Sequence, residues 1–169
     1  MKLYLYKKIM EIVIFILALW YGGLFFQSFF LHRYSAHQVF TMSKTMERIT
    51  FVLTWIFQGP SYLSAYGYGI LHRMHHAFTD TKKDPHSPSY DASLFAMMWK
   101  TKTIYHDINE QRIEVDQRFV KNVPQWKSFD LFANSNFSRI FWILSYLLYF
   151  SFFVTSWWQW LLFPVTFLM

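Results

Sequence analysis

Three stretches without a single charged residue govern what this chain can become: Ile12–Leu31, Ile49–Leu71 and Ile140–Met169. Each reaches the roughly 20 residues needed to cross a hydrocarbon core about 30 Å thick. Composition points the same way, with 23% aromatic and only 15% charged residues in a chain of 169, both shifted from soluble averages toward a membrane protein. The expected fold is therefore an all-α membrane protein, integral and multi-pass, with transmembrane helices and a cytoplasmic helical cap carrying a histidine-rich metal site. The formal charge of +6 includes no basic run longer than two, Lys7-Lys8 and Lys82-Lys83. That pattern suits contact with anionic lipid headgroups and excludes nucleic acid as the natural partner.

Along the chain, residues 12–31 read as a spanning helix, with Gly22-Gly23 a close-packing point. Residues 32–48 form a polar connection, and 49–71 an apolar segment interrupted by Gly59-Pro60-Ser61 and softened by Gly67 and Gly69. From Ala77 to Arg139 eight acids and nine bases mark a water-facing region, with helices expected near Asp91–His106 and Asp107–Phe119. Residues 140–169 return to membrane character as a spanning helix and the start of a returning one, around an interfacial knot at Ser156-Trp157-Trp158-Gln159-Trp160. The ending Phe167-Leu168-Met169 lacks a polar anchor, so the chain is expected to be the front part of a longer protein.

Five of the seven histidines crowd into two windows, His32-Arg-Tyr-Ser-Ala-His37 and His72-Arg-Met-His75-His76. With no cysteine in the chain, disulfides, thiolate metal sites and cysteine nucleophiles are excluded. On a helix His72, His75 and His76 share a face, because positions three and four apart are neighbours. The i, i+4 pair His72 and His76 has metalloprotease spacing, but Arg73 stands where that motif needs its glutamate base. His32 and His37 lie five positions apart, about 140° around an ideal helix. They share a site only if the helix ends or loosens between them. If residues 49–71 crossed the bilayer cleanly, His37 and His72 would lie roughly 30 Å apart. The Gly59-Pro60 break instead predicts a re-entrant or interfacial segment, leaving both clusters on one membrane face. Arg33, Lys44, Arg48 and Arg73 place that face in the cytoplasm; Lys2, Lys7 and Lys8 pull the other way.

The order His32-x4-His37, His72-x2-His75-His76, Asp80 and Asp84-Pro85-His86-Ser87-Pro88 resembles the membrane fatty acid desaturases, most closely the acyl-CoA Δ9 branch. The resemblance implies a di-iron centre held by eight or nine histidines. With O2 as co-substrate and two electrons, such a centre removes two hydrogens from a saturated acyl chain and leaves a cis double bond. It further implies a fatty acyl-CoA or acyl-lipid substrate and an electron donor such as cytochrome b5 or a ferredoxin. Metal ligands carry over only to His32, His37, His72, His75 and His76, with no separate catalytic or cofactor-binding residue. The family's third histidine box has no counterpart here. The chain alone is thus expected to be an incomplete, inactive portion of its parent enzyme. The competing readings are a related histidine-box hydroxylase or alkane oxygenase, and a non-catalytic metal-binding membrane fragment.

Other polar residues have plainer readings. His86 sits between two prolines as a loop residue, and His106 reads as surface. Asp80 and Asp84 are candidates to accept ring N–H bonds from the ligands, Asp84 being equally a turn former before Pro85. Lys82 and Lys83 could meet a CoA phosphate, although exposed loop lysines usually meet water. The aromatic residues are assigned mainly to lipid-facing surface, and only secondarily to an acyl tunnel.

Overall fold

The computed structural model describes residues 2–167, with side chains from residue 6 onward. Among them all regular structure is helical. The helices are α1 (Lys2–Phe26), α2 (Lys44–Gln58), α3 (Ala65–Phe78), α4 (Leu94–Asn109), α5 (Gln117–Val120), α6 (Lys127–Ala133) and α7 (Asn136–Phe153). The chain divides into two compact units. One holds residues 1–27, 44–63 and 127–169, and the other holds 28–43 and 64–126.

In the first unit, α1 packs on α2 and α7. Its buried side chains Ile12, Ile16 and Leu19 recur at helical spacing, and Ile12 and Ile16 join Phe150 in one core. On the other side, Met10, Ile14, Leu17, Tyr21 and Leu24 form an exposed apolar stripe. A face of that kind is stable against lipid rather than water. Gly22 packs against the ring of Phe57, as a close-packing role requires. Gly59 adopts φ +54°, a left-handed conformation that side chains rarely accept, and a Cβ there would lie 2.2 Å from the Tyr146 hydroxyl. With Pro60 following, α2 stops at Gln58 and gives way to a 3-10 turn over Gly59–Ser61. The apolar segment 49–71 is therefore divided between two helices, α2 and α3.

Helix α1 does not end at Leu31 as expected. The winding continues as a π-helix over Gln27–Ala36, taking in the first histidine. The resulting helix, Tyr6–Ala36, is the one helix among the described residues that is long and apolar enough to cross a membrane. Its 31 residues give a length of roughly 46 Å at 1.5 Å per residue. Two further expectations need correction. Beyond Ser156, where a returning helix was expected, the chain forms 3-10 turns at Trp157–Leu162 and Pro164–Phe167. The Gln159 side chain caps the first by accepting from the amides of Thr155 and Ser156, and Pro164 has no amide with which to extend it. Leu168 and Met169 lie outside the described residues. The helix expected over Asp107–Phe119 is also absent, because α4 runs to Asn109 and ends there. Gln111 is left-handed at φ 57°, and the Arg112 amide closes back on the Asp107 carbonyl at 2.8 Å. Only the single turn α5 follows.

The second unit is built on α3 packed against α4 and α5. Ile70, Ile108 and Phe119 form its core, with Tyr66, Leu71, Met74 and Ile104 against them. Each such side chain, fully buried, stabilises the fold by about 1.5–3 kcal/mol. Both helices start on a serine cap: Ser64 Oγ accepts from the Gly67 amide and Ser93 Oγ from the Ala96 amide.

Candidate metal centre

The first histidine pair depends on the π winding. An α-helix would set His32 and His37 about 140° apart. Hydrogen bonding from i to i+5 instead stacks residues five apart. The bond involved joins the two histidines themselves, His37 amide to His32 carbonyl at 3.0 Å, and their ring centroids are 4.6 Å apart. The helix loosens between them, one of the two conditions the spacing imposed. Gln38, at φ 52°, then terminates the winding.

The second cluster lies on the last turns of α3. The two clusters meet because α3 approaches the π segment at Gly69, where a Cβ would lie 2.4 Å from Ser35 Oγ. Ser35 Oγ in turn donates to the Ala65 carbonyl at 2.6 Å. Arg73 fastens the same junction. Its Nε donates to the Ala36 carbonyl at 2.7 Å and Nη2 to the Ser35 carbonyl at 2.9 Å. Its Nη1 reaches the carbonyls of Phe119 and Lys121, at 3.0 and 2.8 Å. One guanidinium thus satisfies the orphan carbonyls at the end of the π segment and ties them to α5. The residue that rules out a metalloprotease motif is the clamp of this site. Sequence reasoning missed that role, since backbone carbonyl partners leave no residue signature.

Four imidazoles converge: ring nitrogens of His32, His37, His72 and His76 all lie within 4.8 Å of one another. His72 Nε2 is 3.2 Å from His37 Nε2 and 3.0 Å from His76 Nε2. Neighbouring ligands of one metal with bonds of roughly 2.0–2.1 Å are separated by roughly 3.0–3.4 Å, so this spacing fits a shared ion. The protonation states fit as well. Burial, reinforced by the neighbouring His32, His76, His37 and His75, lowers the His72 pKa to about 4. Burial, then His32, His76 and Arg73, also lowers that of His37. Neutral rings offering lone pairs are what a metal ion requires. Imidazole alone does not choose among iron, zinc and copper.

His75 stands apart from these four, its ring centroid 6.4 Å from that of His72 and 5.8 Å from that of His76. Its Nδ1 lies 2.8 Å from Oδ1 of Asp84, which also accepts the His86 amide at 2.8 Å. Asp84 Oδ2 is buried and has no partner. Burial alone would raise the Asp84 pKa, but the bonds from His75 and His86 lower it overall. Lys100 donates to the Asp84 carbonyl at 3.2 Å and pairs with Asp91 at 3.4 Å. Thr101 hydroxyl donates to the Pro85 carbonyl, so it accepts from His86 Nδ1 at 3.0 Å. The exposed His86 ring lies 5.8 Å from His75. Asp80 is exposed at φ 58° in the turn before Asp84. Lys82 and Lys83 are exposed, and half-buried His106 lies in the last turn of α4, against Tyr105. The supporting contributions of Lys100 and Thr101 carried no sequence signal beyond their position on a helix.

Comparison with known proteins agrees with this geometry. Residues 11–169 match the fatty acid desaturase family. Over 75 residues the chain is 36% identical to a hex-5-enoyl-[acyl-carrier protein] acetylenase of Moorena producens (strain JHB). That alignment covers 44% of this chain and 22% of the relative's length. No solved structure matches the chain. Desaturases of this family are membrane-associated, in keeping with the apolar Tyr6–Ala36 helix. With two histidine windows gathered into one cluster and the family match running almost end to end, this chain belongs to the fatty acid desaturase family.

Proposed function

We propose that this chain carries part of the metal centre of an O2-dependent desaturase that introduces a cis double bond into a saturated fatty acyl thioester. The observation that carries this reading is the convergence of His32, His37, His72 and His76 in a chain of this family. Bound iron, with O2 and two electrons, supplies the oxidant for an unactivated C–H bond, which no side chain supplies. The reaction balances as one CH2–CH2 unit, O2, two electrons and two protons, giving one CH=CH unit and two waters. In this reading the four converging histidines and His75 are ligands, Asp84 orients His75, and Arg73 holds the two boxes together. Five imidazoles are too few for two irons, so ligands from outside these boxes, protein or solvent, complete the centre.

The Asp84-Pro85-His86 run supports an acyl-CoA substrate through its resemblance to the acyl-CoA branch. The aligned relative is named for an acyl group on acyl-carrier protein, which supports a carrier-protein thioester as the second reading. In our proposal the protein is multi-pass, and the histidine side faces the cytoplasm, with Arg33, Lys44 and Arg48 as the supporting charges. There it meets a cytochrome b5 or ferredoxin-type donor. The test is to express the full reading frame, supply iron, donor and reductant, and offer stearoyl-CoA and stearoyl-acyl-carrier protein separately. A monounsaturated product that disappears in His72→Ala supports the reading, and the productive thioester identifies the carrier. A hydroxylated product, or alkene persisting in His72→Ala, overturns it.

A further inference from the structure

Helix α4 is apolar on both sides of its N-terminal half. One side, Met97, Tyr105 and Ile108, is buried within its own unit. The other presents Leu94, Phe95, Met98 and Trp99 to the outside, 67%, 75%, 59% and 60% exposed. At 100° per residue these four occupy one arc of the helix, and Lys102 falls in the same arc two turns on. The next exposed position, Thr103, is polar. Four large apolar side chains clustered on one helical face exceed the scattered exposure normal for a water-facing surface.

Three observations say what covers this face. The unit that contains α4 also contains Ser28–Ala36, the end of the one helix long enough to cross a membrane. That helix is roughly 46 Å long against a hydrocarbon core of about 30 Å, so its far end and the unit attached to it stand at a bilayer surface. The exposed set is of interfacial type, with Trp99 beside aliphatic anchors, and Lys102 Nζ lies 5.1 Å from the Trp99 ring centroid. An apolar stem that keeps its ammonium at headgroup level is suited to that position. The surrounding charge is also complementary to anionic lipid: Lys82 and Lys83 are exposed in the loop before α4, and the chain carries +6 overall.

We infer that the N-terminal half of α4 lies in the bilayer interface, with Leu94, Phe95, Met98 and Trp99 inserted among acyl chains and Lys102 at the phosphates. This contact gives the histidine-bearing unit a second attachment to the membrane besides the spanning helix. It does not depend on the proposed reaction, because no metal or substrate enters it.

Because the chain has no cysteine, a single one can be placed at will. The full chain, as Leu94→Cys, Phe95→Cys or Met98→Cys, is spin-labelled and reconstituted in phosphatidylcholine–phosphatidylglycerol vesicles. Tyr21→Cys, on the apolar stripe of α1, is the lipid reference. Glu114→Cys, exposed in the loop after α4, is the water reference. Labels on α4 are expected to collide with oxygen more than with a water-soluble nickel chelate, as at Tyr21 and inverted from Glu114. Nickel-dominated collisions on α4 would mean a face open to water and would overturn the inference. Protection from both reagents would mean cover by protein, another segment or a second copy, and would overturn it equally. Agreement among the three positions separates this outcome from local damage by any one label.

Discussion

Nδ1 of His75 lies 2.8 Å from Oδ1 of Asp84, a carboxylate only 1% exposed. An ionised carboxylate only accepts, so the ring proton sits on Nδ1 and Nε2 keeps its lone pair. The orienting bond reaches the one box histidine that stands outside the four-ring cluster. Replacing Asp84→Asn removes the charge but keeps the shape. A carboxyl group that orients a metal-binding histidine is worth roughly 10–100-fold in affinity. Titration of the purified chain with Co(II), followed by its visible absorption, should show weakening of that order. Unchanged affinity would remove His75 from the ligand set.

The same carboxylate makes stability depend on pH. Its folded pKa is depressed by the His75 and His86 bonds, against the effect of burial. At low pH the unfolded chain therefore binds the proton first. The stabilisation is complete above the ordinary carboxylate value near 4 and is lost as pH falls through the lower folded value. Melting of wild type and Asp84→Asn, measured from pH 7 to pH 3, should differ by a constant amount down to about pH 5 and converge below it.

His72 acts over a higher window. Its folded pKa of about 4 lies below the ordinary 6.5, so between those values the unfolded chain holds the extra proton. Stability of the metal-free chain should fall as pH drops from 6.5 toward 4, and His72→Phe should flatten that slope. A slope that survives the substitution assigns the effect to another histidine.

Arg73→Lys keeps a charge but gives up the fork that spans four carbonyls. An ammonium group cannot reach all of them, and hydrogen bonds from charged groups contribute about 1.5–3 kcal/mol each. We expect a loss of about 2 kcal/mol in denaturant unfolding, together with weaker Co(II) binding. Full stability with weakened metal binding would point to a more direct electrostatic role.

Gly69→Ala tests the contact that joins the two boxes. The added methyl group meets Ser35 Oγ at 2.4 Å and Val123 Cγ1 at 3.2 Å. Overpacking of this kind costs about 1–3 kcal/mol. Ser35→Gly removes the obstructing atom, so the double variant should recover part of the loss, and the two substitutions should be non-additive.

The convergence of the two histidine windows was legible because geometry left few alternatives. Five-residue spacing demanded a loosened helix, and Gly59-Pro60 gave a way to avoid a clean crossing. The form of the loosening was not legible: π and broken helices answer the same requirement. The outward turn of His75 depends on Asp84, nine positions away, which shared-face arguments on a helix do not weigh. Helix α4 begins at Leu94 rather than Asp91 because Ser93 supplies its cap. Its neighbour over 107–119 failed to form because charge content says nothing about the left-handed turn at Gln111. Among the uncharged stretches, length alone promised several crossings, but Gly59 and Pro164 interrupt two of them.

A backbone bond from the His37 amide to the His32 carbonyl means that these two rings share a lever. A shift of one ring on taking up an ion is transmitted to the other through a single peptide contact, without help from side chains. Shortening the intervening segment by one residue would restore ordinary α winding and still leave both rings on one side of the helix. Lengthening it by one would send them apart, so this stretch should tolerate a deletion far better than an insertion.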